Sequence, residues 1–272
     1  MNNTAKRVIV SVIAIPLILA ACYTGKLFFF VFAAIIGLVS FHEFSVMTKN
    51  KGININLFAG LVLILAFLLN QYFHFFDAYS IVVIAVFIIS SLELFRNNGS
   101  AIINIGSTLL GIFYIGLFSS ALIEIREFYP SVGDFYLRGG YLIISILASI
   151  WICDSAAFFG GISLGRHKMF PRISPKKSWE GAVFGFTFAI LTMIAAHFIV
   201  LDFLTLADSI IIGVIVGTIG QIGDLVESLF KRDADVKDSS SLIPGHGGIF
   251  DRFDSLLFSA PVILFYLKYF ER

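Results

Sequence analysis

The stretch from residue 237 to 255 reads KDSSSLIPGHGGIFDRFDS and concentrates the residue types that handle phosphates and metal ions. Glycines 245, 247 and 248 free backbone N–H groups. Lys237, Arg252 and His246 bring positive or proton-donating groups, and Asp238, Asp251 and Asp254 bring hard oxygen ligands. Lys231 and Arg232 precede the stretch, and Ser228, Glu227 and Asp224 lie one and two helical turns further back. A second block, WICDSAAFFGGISLGRHKMFPRISPKKSWEG at 151–181, carries Asp154, Lys176, Lys177 and Glu180. Two aspartates on different segments, Asp224 and Asp251, could share a divalent ion while the basic residues neutralise phosphate oxygens and orient a phosphorus for in-line attack.

The segments that position these residues are built for lipid. Of 272 residues 58% are hydrophobic and 14% charged, with 31 Phe and a mean hydropathy of +0.93, beyond the apolar share of an ordinary soluble domain. Apolar runs long enough to cross a bilayer fall near 8–25, 27–47, 55–72, 79–95, 103–124, 140–163, 181–201, 208–230 and 254–270. Runs such as IVVIAVFII are apolar throughout, where a barrel strand would alternate, so the spans are helices. The expectation is an all-α, polytopic integral membrane protein with about nine transmembrane helices. Residues 1–272 form a single membrane domain, in which 1–140 have only general membrane character and 141–272 hold both chemical blocks.

With the N-terminus in the cytoplasm, 14 of the 19 Lys and Arg residues fall on the inner side and 5 on the outer, as the positive-inside rule requires. The two most basic connections, 166–180 and 231–253, then share the cytoplasmic face. Cys22 and Cys153 sit in apolar runs with no disulfide or metal spacing and are read as packing residues.

Glu43, Glu93, Asp154, Asp224 and Glu227 fall inside spans, where each needs a partner, a metal or a water-filled cavity. At about 1.5 Å per residue Glu43 and Asp224 lie roughly 9 and 10 Å from the cationic ends of their helices, and Asp154 roughly 18 Å from Arg166. The implied cavity opens inward. In GVIVGTIGQIGDLVESLFKR, Gly213, Gly217 and Gly220 form a stripe that permits close helix approach, and Gln221, Asp224 and Ser228 continue its spacing. The stripe could serve packing within the chain or a homodimer.

The run SLFKRDADVKDSSSLIPGHGGIFDRFD, Ser228 to Asp254, resembles the signature of the phosphatidate cytidylyltransferase (CDP-diacylglycerol synthase) family, and the block at 151–181 resembles that family's second motif. The resemblance implies a reaction in which phosphatidate attacks the α-phosphorus of CTP, giving CDP-diacylglycerol and pyrophosphate. It implies Mg²⁺ held by Asp224 and Asp251, with a monovalent cation such as K⁺ beside it. Lys231, Arg232, Lys237 and Arg252 would contact phosphates, with Lys176, Lys177, His246, Gly247 and Gly248 adding positive field and donors. Glu227 and Ser228 would support Asp224, with Asp154, Glu180 and Asp254 as further site carboxylates. A phosphate nucleophile is already ionised at neutral pH, so no general base is needed.

Partners expected on this reading are CTP, phosphatidate and the bilayer, with no nucleic acid, in a bacterial inner membrane. The competing enzyme class is a CTP-dependent lipid-alcohol kinase, from which the complete HGG-x-DR-x-D block at 246–254 separates this chain. An ion-coupled transporter would also use intramembrane carboxylates and broken helices, but the glycine-rich polar motifs occur only in the C-terminal half, with no inverted repeat.

Overall fold

The computed structural model describes residues 3–243 and 247–271. Nine helical segments occur among them: α1 Asn3–Thr24, α2 Lys26–Lys49, α3 Leu57–Phe73, α4 Ala78–Glu93, α5 Ala101–Arg126, α6 Phe135–Leu164, α7 Trp179–Ile199, α8 Leu206–Asp233 and α9 Phe250–Tyr269. Each coincides with one expected span. Five of them, α2, α5, α6, α7 and α8, are long and apolar enough to cross a membrane alone, while α1, α3 and α4 have shorter apolar stretches. The chain is an all-α, multi-pass membrane protein.

Local chemistry fixes the ends. The side chains of Asn56, Asp77 and Ser178 accept backbone N–H groups at the starts of α3, α4 and α7, and Thr205 with Asp208 forms a capping box on α8. Polar contacts between connections sort into two ends. At one, Lys51 pairs with Asp235 at 2.8 Å and Arg232 donates to the carbonyl of Ile173. At the other, Tyr129 donates to Glu271 at 2.6 Å and Lys268 pairs with Glu124. That segregation is what alternate crossings produce.

Three features depart from simple spans. Residues 168–178 fold as a two-stranded antiparallel hairpin, β1 Lys168–Phe170 with β2 Ser174–Ser178. The helices α5 and α8 each widen into a π-helical segment, Ile112–Leu117 and Val216–Gly220, a distortion found often at functional sites. The glycine stripe of α8 is used within the chain: a Cβ on Gly213 or Gly217 would press on the backbone of Ile190 or Phe186 in α7, at 2.8 and 2.9 Å. The stripe is therefore covered and is not free to meet a second copy, which corrects that part of the homodimer expectation.

Candidate active site

Immediately after its π segment, α8 returns to regular geometry and aligns Asp224, Glu227, Ser228 and Lys231 along one face. Gln221 helps set this register by donating to the carbonyls of Gly217, at 2.6 Å, and Ala182 on α7, at 3.1 Å. Asp224 Oδ2 receives the Lys177 ammonium at 2.6 Å and its Oδ1 accepts from Ser228 at 3.4 Å. Glu227 has no exposed surface, and its Oε1 finds no hydrogen-bond partner among the described residues. Its Oε2 lies 2.6 Å from Lys231 Nζ, and the same ammonium is 2.7 Å from Asp251 Oδ1 on α9. One cation thus joins two buried carboxylates from two helices.

The loop before α9 is wound around Asp251. Its Oδ2 accepts from the N–H of Gly248 at 2.7 Å, the N–H of Ser239 at 2.9 Å and the hydroxyl of Ser239 at 2.9 Å. Gly247 adopts φ +85°, which favours glycine, and a Cβ there would meet Asp251 Oδ2 at 2.5 Å. A Cβ on Gly248 would collide with Ser239 and Glu43. The two glycines therefore let the backbone close on the carboxylate. The Gly248 N–H is thereby engaged by Asp251. His246, with Pro244 and Gly245, lies outside the described residues.

Glu43 completes the arrangement from α2. Its Oε1 accepts from Ser240 Oγ at 2.5 Å and Ile249 N at 3.1 Å, and its Oε2 from Phe250 N at 2.8 Å and Ser239 Oγ at 3.1 Å. It is 2% exposed, and it satisfies N–H groups at the start of α9 with a negative charge, as a helix N-terminus favours. The sequence marks Glu43 as an intramembrane acid, but its partners lie about two hundred positions away, beyond the reach of any spacing rule. Glu93 is likewise satisfied, by Arg96 at 2.9 Å and Asn104 at 2.7 Å.

Asp254 on α9 stands beside Asp224 on α8, since a Cβ on the neighbouring Gly223 would meet the Asp254 carbonyl at 2.9 Å, while Asp154 on α6 is exposed. Asp254 is largely buried, and its carboxylate accepts the N–H of Ser255 at 2.6 Å. Tyr114, on the π segment of α5, packs its ring against Phe230, Phe250 and Phe258 and buries a hydroxyl that has no partner among the described residues. No pattern in the sequence singled out Tyr114.

Two of the basic residues already have partners within the chain. Lys231 is enclosed by Glu227 and Asp251, so its ammonium is taken up by the protein's own acids. Arg232 donates to the carbonyls of Ile173, at 3.1 Å, and Val236, at 3.0 Å, tying the hairpin tip to the end of α8. Glu180 also turns from the site: it accepts from the backbone N–H groups of Arg166 and His167 and pairs with the His167 ring at 2.6 Å, fixing the entry to the hairpin. Lys176, Lys237 and Arg252 are exposed and make no ion pair among the described residues.

The profile of the cytidylyltransferase family matches residues 5–270. The chain belongs to that family. It is similar to the phosphatidate cytidylyltransferase of Bacillus subtilis strain 168, at 34% identity over 276 residues covering all of both chains. It is similar to that of Staphylococcus haemolyticus at 30% over 261 residues, 94% of this chain and 96% of the relative. With the Haemophilus influenzae protein of the same name identity reaches 41%, over 133 residues and 47% of this chain. Family membership therefore covers the N-terminal helices, including the one that supplies Glu43, as well as the motif-bearing half.

The donor set fits a hard divalent ion. The candidate ligands Asp224 and Asp251 are carboxylates, and each is already balanced by an ammonium group, Lys177 and Lys231 respectively. Among the described residues no three His, Cys, Asp or Glu side chains converge as a protein-only cage. An ion bound here would draw further oxygens from phosphate and water, the habit of Mg²⁺.

Proposed function

We propose that this protein transfers the CMP moiety of CTP to phosphatidate, forming CDP-diacylglycerol and pyrophosphate for phospholipid synthesis. The observation that carries the reading is the joining of α8 to α9 through Lys231, which sets Asp251 and the Asp224 face at one end of two adjacent crossings. An anionic lipid held in the membrane and a soluble anionic nucleotide can meet only at such an end, and they react only where their repulsion is offset.

A phosphate oxygen of phosphatidate attacks the α-phosphorus of CTP, a new O–P bond forms, and the bond to the β-phosphate oxygen breaks to release pyrophosphate. Asp224 and Asp251 would hold Mg²⁺, which would supply charge neutralisation and orientation for the phosphate oxygens. Lys231 keeps Asp251 and Glu227 fixed relative to one another, and Lys177 does the same for Asp224. Lys176, Lys237 and Arg252, exposed at the same end, supply positive field for the triphosphate. A K⁺ ion beside Mg²⁺ belongs to the same proposal, as do a bacterial inner-membrane location and a cytoplasm-facing site, which the distribution of Lys and Arg supports.

The test uses purified full-length protein with phosphatidate, Mg²⁺ and CTP labelled at either the α- or the γ-phosphorus. Label from the α position should enter lipid with one pyrophosphate released per transfer, and chelation of the divalent ion should stop it. Lipid labelling from the γ position would instead mark a CTP-dependent kinase. Asp251→Asn should abolish transfer in protein that remains folded; full turnover in that variant would remove Asp251 from the proposed ligands.

A further inference from the structure

Beside the loop that fastens Asp251, α2 and α3 part to leave a cleft of about 720 Å³, within the size range of ligand sites. Its walls are largely apolar, with Leu38 on α2 and Val62 and Leu65 on α3, and its polar lining comes from His42, Glu43 and Ser240, beside Phe58 and Leu242 at the mouth. The two ends differ in chemistry. Glu43 and Ser240 are hydrogen-bonded to each other, and Ser239, the neighbour of Ser240, binds both Glu43 and Asp251. The polar end is thus continuous with the network that holds the site. From Phe58 to Leu65 the wall on α3 runs away from the loop end for roughly 10 Å at about 1.5 Å per residue. Val62 is 51% exposed and Phe58 79%, so the cleft opens sideways, toward the surface that hydrocarbon covers.

We propose that this cleft receives an acyl chain of the phospholipid substrate, with its phosphate directed over the Ser240–Leu242 mouth toward Asp251 and Arg252. The proposal rests on the functional reading above and deepens it. A lipid in a bilayer already presents a phosphate at the surface and tails running inward beside the helices, the same order of polarity as the cleft. A nucleotide has no use for such walls. Because Glu43 borders the cleft and also holds the start of α9, seating a chain there would bear on the loop that carries Asp251. The cleft is therefore a determinant of acyl-chain selectivity.

Leu38→Trp and Val62→Trp fill the cleft, and Phe87→Trp adds the same bulk on α4, at a residue that does not line it. With long-chain phosphatidate the first two variants should raise KM about tenfold, the scale of a few lost methylene burials. Their KM for CTP and their turnover of dihexanoyl phosphatidate should match the unsubstituted protein, and Phe87→Trp should match it throughout. Equal loss with long and short chains, or no change with either, overturns the proposal. A second measurement needs no turnover and so stands even if the transfer reaction fails. Full-length protein without CTP is irradiated with phosphatidate bearing a mid-chain diazirine. Crosslinks should fall on the cleft segments of α2 and α3 and be competed by phosphatidate but not by phosphatidylcholine. Crosslinks elsewhere, or equal competition by phosphatidylcholine as for an ordinary boundary lipid, overturn it.

Discussion

At the far end of α5 the guanidinium of Arg126 has no exposed surface, yet it is fully used. It donates to the carbonyls of Cys22 at 2.5 Å, Tyr23 at 2.8 Å and Tyr136 at 3.2 Å, and lies over the Tyr136 ring. Those acceptors include carbonyls at the end of α1, where a helix wants a cation. At the opposite end of the bundle Asp224, Glu227 and Asp251 share two ammonium groups, Lys177 and Lys231, and Asp254 adds a further buried carboxylate. Glu227 Oε1 and the Tyr114 hydroxyl are buried there without partners among the described residues. The first region is a buried charge closed off by neutral dipoles, which holds helices together. The second keeps more acid than base in a place where charge is expensive, an arrangement that folding alone would not select.

That contrast can be broken or sharpened by substitution. Lys231→Met should have the largest effect, about 3–5 kcal/mol of stability, because it strands two buried carboxylates; thermal unfolding in detergent checks it, and a loss under about 1 kcal/mol would mean that Glu227 and Asp251 are not held by this ammonium. Asp224→Asn should cut transfer about a thousandfold, roughly 4 kcal/mol of barrier, with little change in unfolding temperature, because it relieves the acidic crowd while removing a ligand. Steady-state rates beside melting curves test that split, and parallel losses in both would make Asp224 structural. Arg126→Met should reverse the pattern: about 3 kcal/mol of stability lost from orphaned carbonyls, with turnover per folded molecule unchanged. Smallest is Glu43→Gln, which keeps one acceptor and should cost about tenfold in rate, near 1.4 kcal/mol. Faster amide exchange at Ile249 and Phe250 should accompany it, and unchanged exchange there would separate Glu43 from the loop.

The site was legible in part. Asp224 stood out because a carboxylate near hydrocarbon must be accounted for, Asp251 and Lys177 because they sit in the two polar, basic blocks, and the structure links Asp224 to Lys177 directly. Arg232 and Glu180 have partners that spacing does not reveal: residue type says that a group wants a charged or polar partner, not which one is nearer. For both, backbone groups around the 166–178 hairpin are nearer, and that hairpin is invisible to a hydropathy pattern. Gly248 is a similar case, since the N–H that a glycine frees can be spent on the protein's own carboxylate. The π segments in α5 and α8 are equally hidden, since no residue at 112–117 or 216–220 breaks a helical pattern.

What the sequence determined by itself was the solvent, the nine helical segments and the class of chemistry. Transfer into hydrocarbon is a sum over consecutive residues, and the motif around Asp251 is compact enough to be read along the chain. Only the tertiary structure decided who satisfies whom: Glu43 with the start of α9, Lys231 between Glu227 and Asp251, and Arg126 with the end of α1. In a medium without water every buried charge must be matched by whatever group packing brings within hydrogen-bonding distance, and that distance is a property of the assembled helices, not of any one of them.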